Sequence, residues 1–182
     1  MTVPDVEPSA MRAPGEVVFT RVDIARATMR VAADLNERLG AGEWLLVTVL
    51  NGGVPFACDL MRLLRVPLRF ETLRVARYRN ESGGTLEWLA RPREPVEGRN
   101  VLLVDDIFDA GETLVAIDAW LRDEGAADLV SCVLLEKEIA RASAVRPDFV
   151  GLTCPDRYVF GYGMDLRGLW RNLDHIRALD PA

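Results

Sequence analysis

Several residue types that common functional sites need are scarce in this sequence. It contains one histidine, so a zinc site built on several histidines is excluded. Its three cysteines are odd in number and lie in apolar stretches, which favours reduced thiols in the cytoplasm. The sequence has no apolar run near the roughly 18 residues that span a bilayer, and no signal peptide pattern. We therefore expect a cytoplasmic protein without membrane contact.

Positive charge is scarce as well. The net charge of −6 argues against a general nucleic-acid-binding surface. Among the 22 basic residues, Lys137 is the only lysine. Lysine is a slim point charge whereas arginine is a planar fork, so a site that needs one donor in a narrow pocket favours lysine. The alternative is an ordinary surface position, but Lys137 follows a predicted strand at residues 129–135.

The most informative segment is residues 101–114, which read VLLVDDIFDAGETL. Four apolar residues predict a buried strand, and a glycine-containing turn leads into apolar residues at helical spacing. Asp105 and Asp106 therefore lie at the carboxyl end of a strand, where open α/β sheets bind ligands. The turn and the helix N-terminus favour a phosphate, while the two acids suit ribose hydroxyls or Mg²⁺. The segment predicts a ribose-5-phosphate site.

The complete pattern of this segment resembles the signature that type I phosphoribosyltransferases use for phosphoribosyl pyrophosphate (PRPP). One alternative is an acid pair that only caps the next helix. A Walker B site also places acids at the end of a strand, but the sequence has no G-x-x-x-x-G-K-S/T loop.

The remaining sequence alternates predicted strands and helices. The Thr20-x-x-Asp23 pattern starts a helix that ends at Gly40. Strands are predicted at residues 45–50, 68–78, 85–89, 101–104 and 129–135. This alternation predicts a single α/β domain over residues 17–182, which is close to the usual domain length. Residues 1–16 contain three prolines and are expected to form a loose tail.

Further segments resemble the hypoxanthine-guanine phosphoribosyltransferases, the 6-oxopurine group of that family. Residues 50–56 resemble their pyrophosphate loop, and residues 74–80 resemble the start of their mobile active-site loop. Residues 148–151, 155–165 and 170–173 resemble their purine-binding hood, in the form that bacterial members carry. The likeness runs from about residue 20 to the end. It implies the type I phosphoribosyltransferase fold, a central mostly parallel sheet flanked by helices, with a small C-terminal hood mainly in residues 153–182.

The resemblance implies a role for each matching residue. PRPP would be bound by Asp105, Asp106, Asp109, Ala110, Gly111, Glu112, Thr113, Asn51, Gly52 and Arg171. The purine would be bound by Lys137 at its 6-oxo group, by Tyr158 through stacking, by the carbonyl of Val159, and by Asp165. Mg²⁺ would be held by Asp105, Asp106 and Asp165. The lid would carry Arg77 and Tyr78, and the catalytic general base near N7 of the purine would be Asp109.

Three positions depart from the usual residues of the family. Ala110 replaces a threonine of the phosphate loop, Asn51 replaces a lysine, and Arg77 replaces a small hydroxyl residue of the lid. Two sets of the matching residues could also serve only the stability of the fold and not ligand binding. The alternating aromatic residues at 158, 160 and 162 suit core packing, and residues 165 and 171 suit a surface ion pair. The resemblance further implies a non-proline cis peptide bond between residues 50 and 51.

The function implied by the resemblance is purine salvage. The enzyme would transfer the 5-phosphoribosyl group of PRPP to hypoxanthine, guanine or both, giving IMP or GMP and pyrophosphate. A homodimer or homotetramer is implied, with no nucleic-acid partner. One alternative is a non-catalytic PRPP-sensing regulator of the same fold, which would usually present a basic face. The other is a xanthine-preferring phosphoribosyltransferase.

Overall fold

The computed structural model describes residues 13–80, 83–140 and 145–179, without the side chains of residues 77–80 and 83–86. Its helices are α1 (Arg21–Arg38), α2 (Val54–Met61) and α3 (Glu112–Asp123). Its strands are β1 (Glu16–Phe19), β2 (Trp44–Val49), β3 (Leu68–Asn80), β4 (Gly83–Ala90), β5 (Asn100–Phe108), β6 (Asp128–Lys137), β7 (Phe149–Cys154), β8 (Val159–Phe160) and β9 (Ile176–Ala178). None of the helices in these ranges is long and apolar enough to cross a bilayer.

The central sheet has six strands in the order β4-β3-β2-β5-β6-β7. Neighbouring strands run parallel except for the antiparallel pair β3 and β4. The predicted mostly parallel sheet flanked by helices is confirmed. From β2 the chain proceeds to β3 on one side, and from β5 it proceeds to β6 on the other. The carboxyl ends of β2 and β5 therefore flank the point where the strand order reverses, which is where open α/β sheets bind ligands.

Two apolar cores cover the two faces of this sheet. Helices α1 and α2 pack on one face, against alternate strand residues such as Leu46, Leu102 and Leu134. Helix α3 packs on the other face, against the intervening residues such as Leu45 and Leu103. Strands buried on both faces need apolar residues at every position. This requirement explains the continuous apolar runs from which the sequence predicted β2, β5 and β6.

Helix α1 begins at the predicted capping pattern. The N–H of Thr20 donates to the Asp23 carboxylate at 2.9 Å, and the N–H of Asp23 donates to the Thr20 hydroxyl at 3.3 Å. The box satisfies two backbone donors that the helix itself leaves unpaired. The buried face of the helix includes Ile24, Thr28, Val31 and Leu35, which recur at helical spacing.

The strands differ from the predicted ranges mainly in their length, and two of them, β5 and β3, extend beyond their predicted carboxyl ends in a way that matters for the site. Strand β5 continues through Asp105 and Asp106 to Phe108. The two acids therefore lie inside the carboxyl-terminal part of the strand and not after it. The ladder to β6 continues there, with Asp105 opposite Val133. This long-range pairing extends the strand beyond its apolar run. Strand β3 likewise continues to Asn80, and the predicted hairpin return is present as β4.

A second, three-stranded antiparallel sheet in the order β1-β9-β8 forms the hood. The sequence assigned the hood to residues 153–182 and did not predict β1. Strand β1 begins at Glu16, the last residue of the expected tail, and the carbonyls of Pro14 and Gly15 accept hydrogen bonds from Arg177. The tail expectation for residues 1–12 lies outside the described residues, as does the end of the hood at residues 180–182.

The hood packs directly on the loop that follows β2. Gly163 has a φ of 99°, and a Cβ at this position would lie 2.1 Å from the carbonyl oxygen of Gly52. The peptide bond between Leu50 and Asn51 in this loop is cis, as predicted. The loop and the hood therefore meet backbone to backbone, and a side chain at Gly163 would separate them.

We expect Gly163→Ala to destabilise the protein more than Gly40→Ala. Both glycines have positive φ, which costs a residue with a side chain about 1–2 kcal/mol. Gly40 has open space around its Cβ position, whereas Gly163 faces the backbone of Gly52. Overpacking of this kind adds about 1–3 kcal/mol. Urea denaturation measures both free energies of unfolding. Equal losses for the two variants would contradict the close contact.

Candidate active site

Two adjoining clefts open at the carboxyl end of the central sheet. The larger cleft has a volume of about 310 Å³, and the smaller one about 200 Å³. Asp106, Ile107 and Asp109 border both clefts. Ligands that occupied the two clefts would therefore meet beside these three residues.

The acid pair of β5 forms one wall of the larger cleft. Asp105 is 8% exposed, and its carboxylate accepts a hydrogen bond from the N–H of Asp106 at 2.8 Å. Asp106 lies against the loop after β2 so closely that a Cβ on Gly52 would be 1.5 Å from its Oδ2. Glycine at position 52 is what allows the loop and the acid to share this wall.

Burial sets the electrostatics of this pair. Loss of solvent is the main cause that raises the pKa of Asp105 well above its ordinary value, and the neighbouring charge of Asp106 adds to it. Burial also raises the pKa of Asp106, although hydrogen bonds and the positive charge of Arg171 act in the opposite direction. A ligand that brings a cation or hydroxyl donors would stabilise the ionised pair.

The start of α3 forms the second wall of the larger cleft. Gly111, with a φ of 89°, is the residue before the helix, and it borders the cleft together with Thr113. Amide groups in the first turn of a helix have no acceptor within the helix and favour an anion. Ala110 and Glu112 are exposed and lie outside the lining of the cleft.

Arg171 supplies positive charge to the larger cleft, which Asn51 and Gly52 also line, and this charge acts on Asp106. Its guanidinium donates to the carbonyl of Gly163 at 2.7 Å and to the Asp165 carboxylate at 2.5 Å. The ion pair is therefore a part of the cleft wall and not an isolated surface pair. The larger cleft has buried acids on one side and cationic or amide donors on two others, which suits a sugar that carries phosphate groups at both ends.

The smaller cleft combines a cation with an aromatic ring. Lys137 is the last residue of β6 and its side chain is 12% exposed, so it is not an ordinary surface residue. The Tyr158 side chain is 52% exposed, and its hydroxyl donates to the carbonyl of Asp165 at 3.0 Å. Phe160, by contrast, is fully buried. The core interpretation therefore holds for Phe160 and not for Tyr158, whose ring is available for stacking on a planar ligand.

The carboxylates suit a magnesium ion that keeps other ligands. In the described ranges there is no cluster of three or more side chains that could hold a metal by themselves. Asp105 and Asp106 offer hard oxygen atoms in the larger cleft, and Asp165 offers them at the edge of the smaller one. Mg²⁺ commonly binds through one or two carboxylates together with water and substrate phosphates. The residues present fit this mode.

The structure brings most of the predicted residues together and adds others. The two clefts are lined by Asp109, Gly111 and Thr113, by the 51–52 loop and by predicted residues of the hood, whereas the predicted residues Ala110 and Glu112 lie outside the lining. The side chains of the predicted lid residues, Arg77 and Tyr78, lie outside the described part of the structure. The lining residues that were not predicted include Val75 in the larger cleft, Met164 in the smaller one and Ile107 in both. As apolar residues in apolar or mixed segments, they carry no local signal of a site.

Comparisons with known proteins agree with this geometry. A family model for the phosphoribosyl transferase domain matches residues 20–167. The hypoxanthine-guanine phosphoribosyltransferase of Bacillus subtilis is 31% identical over 169 residues, covering 92% of this chain and 94% of the relative. The protein of the same name from Mycobacterium tuberculosis is 33% identical over 180 residues, covering 92% and 89%.

The similar solved structures include hypoxanthine phosphoribosyltransferases. A hypoxanthine phosphoribosyltransferase from Staphylococcus aureus matches with a TM-score of 0.86 and 29% identity, covering 91% of each chain. A mutant hypoxanthine phosphoribosyltransferase from Trypanosoma cruzi, in a ternary substrates complex, matches with a TM-score of 0.85 and 31% identity. That match covers 92% of this chain and 96% of the other.

The raised pKa of Asp105 predicts that Asp105→Asn stabilises the ligand-free protein at neutral pH. The folded state binds the proton of this carboxyl more tightly than the unfolded state, so its contribution to stability falls as the pH rises above the ordinary value of about 3.9. Asparagine does not titrate and can still accept the N–H of Asp106. The variant should therefore unfold at higher denaturant concentration than the wild type at pH 7.

The advantage of Asp105→Asn should shrink as the pH falls and should vanish below about 4, where the carboxyl becomes protonated in the unfolded state as well as in the folded state. Denaturation curves at several pH values, in buffer with EDTA, measure this dependence. Asp34→Asn, an exposed acid on α1, serves as the control. A variant less stable than the wild type at pH 7 would contradict the assignment of the buried charge.

Proposed function

This chain belongs to the phosphoribosyl transferase domain family, and on that premise we propose that it is a purine salvage enzyme. It transfers the 5-phosphoribosyl group of PRPP to hypoxanthine, guanine or both, and releases pyrophosphate. The observation that carries the proposal is the junction of the two clefts at Asp106, Ile107 and Asp109. A phosphorylated sugar in one cleft and a planar base in the other would meet there.

In this proposal PRPP occupies the larger cleft. The 5-phosphate binds the amides at the start of α3 and the hydroxyl of Thr113, which lines the cleft. The ribose hydroxyls bind Asp105 and Asp106. The pyrophosphate lies beside Asn51, Gly52 and Arg171. Asn51 brings no positive charge to this contact, so Arg171 is the main cation that the described part of the cleft offers to the leaving group.

The purine occupies the smaller cleft, stacked on Tyr158 and bounded by Val159. Lys137 donates to the 6-oxo group of the base. Asp109 borders both clefts, and we assign it as the group that accepts the proton from N7. Its position at the junction supports this role, because a general base must lie within hydrogen-bond reach of the proton that it removes.

The reaction then needs few chemical groups from the protein. The bond from C1 of the ribose to the pyrophosphate oxygen breaks, and its electron pair leaves with the pyrophosphate. N9 of the purine forms the new bond to C1, while Asp109 takes the proton of the base. Arg171 holds a fixed positive charge beside the negative charge that develops on the leaving pyrophosphate, and such preorganised charge is commonly the largest contribution to catalysis. The amides of α3 keep the 5-phosphate, and with it the ribose, in place. Mg²⁺, bound through Asp105, Asp106 or Asp165, would neutralise further charge on the leaving pyrophosphate.

We also propose that the enzyme acts in the cytoplasm as a homodimer or homotetramer. The three cysteines of the chain are free, and two of them are buried, which is compatible with a reducing compartment. Size-exclusion chromatography with light scattering measures the assembly.

The proposed function is tested by incubating the protein with PRPP, Mg²⁺ and one purine base at a time. IMP from hypoxanthine or GMP from guanine is the expected product, with equal amounts of pyrophosphate. Product formation should stop when EDTA removes Mg²⁺. A protein that binds PRPP and forms no nucleotide from any base would be the non-catalytic regulator. A higher kcat/KM for xanthine than for the other bases would identify a xanthine-preferring phosphoribosyltransferase.

In the same assay we expect Asp109→Asn to bind PRPP and to lose most turnover. General acid–base groups contribute about 10²–10⁴-fold, and asparagine cannot accept the proton from N7. Calorimetric titration with PRPP and Mg²⁺ measures binding separately from turnover. If kcat stays within about twofold of the wild type, far below that range, Asp109 is not the base.

The second expected outcome concerns the choice of base. An ammonium group has only donors, so Lys137 pairs with a 6-oxo acceptor and is left unpaired by the amino group of adenine. Sites built in this way reject the wrong ligand by about 10⁴-fold in favourable cases. Lys137→Ala should lower kcat/KM for hypoxanthine and guanine and narrow the difference from adenine. Lys137→Arg should also have a lowered kcat/KM for hypoxanthine and guanine, because the planar guanidinium does not fit the position of the ammonium.

An unchanged ratio of oxopurine to adenine kcat/KM in Lys137→Ala would show that the specificity comes from other groups of the hood.

A further inference from the structure

Asp156 lies beside Lys137 although nothing in the proposed mechanism uses it. Lys137 is paired with Cys154 in the register between β6 and β7, and the N–H of Glu138 donates to the carbonyl of Cys154 at 2.8 Å. The chain then turns at Pro155 directly above the end of β6. Asp156, the next residue, is therefore brought over the side chain of Lys137 by the sheet itself.

The turn that carries Asp156 is anchored from its other side. The guanidinium of Arg157 donates twice to the carbonyl of Leu179, at 3.2 and 3.0 Å, next to the end of β9. The N–H of Arg157 donates to the carbonyl of Pro155 at 2.8 Å. These bonds hold the turn on which Asp156 lies, while the side chain of Asp156 itself is exposed.

The ammonium of Lys137 lies between two carboxylates. Its Nζ is 3.3 Å from Oδ2 of Asp109 and 3.4 Å from Oδ1 of Asp156. Asp109 borders the smaller cleft, whereas Asp156 is 68% exposed and lies outside the described lining of that cleft. In the ligand-free protein, the proposed general base and the proposed reader of the 6-oxo group are thus paired with each other.

We infer that Asp156 is a positioning residue that holds Lys137 in place when Asp109 turns to the purine. This inference rests on the proposed function. When N7 of the base approaches, Asp109 must exchange its contact with Lys137 for a contact with the purine. Asp156 is unaffected by this exchange, because it contacts Nζ from outside the cleft. It keeps a negative partner beside the ammonium and limits the directions in which the long side chain can move.

The size of the effect follows from the exposure of the two partners. A fully exposed ion pair contributes little free energy to holding its two side chains together. A hydrogen bond to a charged group that is less exposed to solvent contributes more. Lys137 is 12% exposed and Asp156 is 68% exposed, so the pair falls between these cases. Loss of Asp156 should raise KM for hypoxanthine by about three- to tenfold, with a smaller change in kcat.

The experiment compares the wild type with Asp156→Ala, Asp156→Asn and Asp156→Glu. KM and kcat are measured for hypoxanthine at saturating PRPP, and for PRPP at saturating hypoxanthine. We expect Asp156→Ala to raise KM for hypoxanthine, to leave KM for PRPP unchanged, and to lower the preference for hypoxanthine over adenine. Asp156→Asn should lie between Ala and the wild type, and Asp156→Glu should restore most of the loss.

Asp34→Ala is the matched control, because Asp34 is an exposed acid in an ion pair with Arg30 on α1, away from both clefts. It should leave all four parameters unchanged. A wild type without phosphoribosyl transfer would overturn the proposed function itself. A wild type with turnover, together with Asp156→Ala at wild-type KM for hypoxanthine, would overturn only the role of Asp156. Parallel losses for PRPP and hypoxanthine, without rescue by glutamate, would also overturn it, because they indicate a general structural defect.

Discussion

The close contact between the hood and the loop after β2 is the constraint on which the site depends. Gly163 of the hood lies against the carbonyl of Gly52, and Gly52 lies against the carboxylate of Asp106. Three segments that are far apart in the chain therefore meet, two of them backbone to backbone and the third through the carboxylate of Asp106. Because the loop lines the larger cleft and the hood contributes residues to both clefts, this contact fixes the position of one cleft relative to the other. Because protein interiors are close-packed, a displacement of one of these segments would be transmitted to the next.

The same constraint determines where charge can be placed. The loop lies against Asp106, and burial raises the pKa of both acids of β5. In a chain with a net charge of −6, positive charge for a phosphorylated ligand must come from local groups. The start of α3 and Arg171, which both line the larger cleft, provide it. Arg171 is itself held by Gly163 and Asp165, so the hood positions the cation as well as the cleft wall.

Features that depend on neighbouring residues were predictable from the sequence. The apolar runs of β2, β5 and β6 predict strands because both faces of a central sheet are buried, and Thr20 and Asp23 predict the start of α1 because a capping box is local. Strand β1 was not predictable in this way. Its residues 16–19 form a strand only because β9, at the other end of the chain, provides the partner. The extension of β5 past its apolar run depends equally on β6.

The site follows the same division. The acid pair, the glycine turn and the lone lysine each have a local pattern, so the analysis of the sequence could name them and the resemblance could give them roles. The second partner of Lys137 could not be found locally, because Asp156 reaches it only through the register between β6 and β7. Ile107 is a comparable case, since it borders both clefts but has the same apolar character as the buried residues before it. Asp106 and Asp109 also border both clefts, but they could be named from the sequence because they belong to the acid motif at the end of β5. The local pattern does not contain the contacts between elements, such as that of Asp156 with Lys137, so the missing information concerns the geometry of the site more than the identity of its groups.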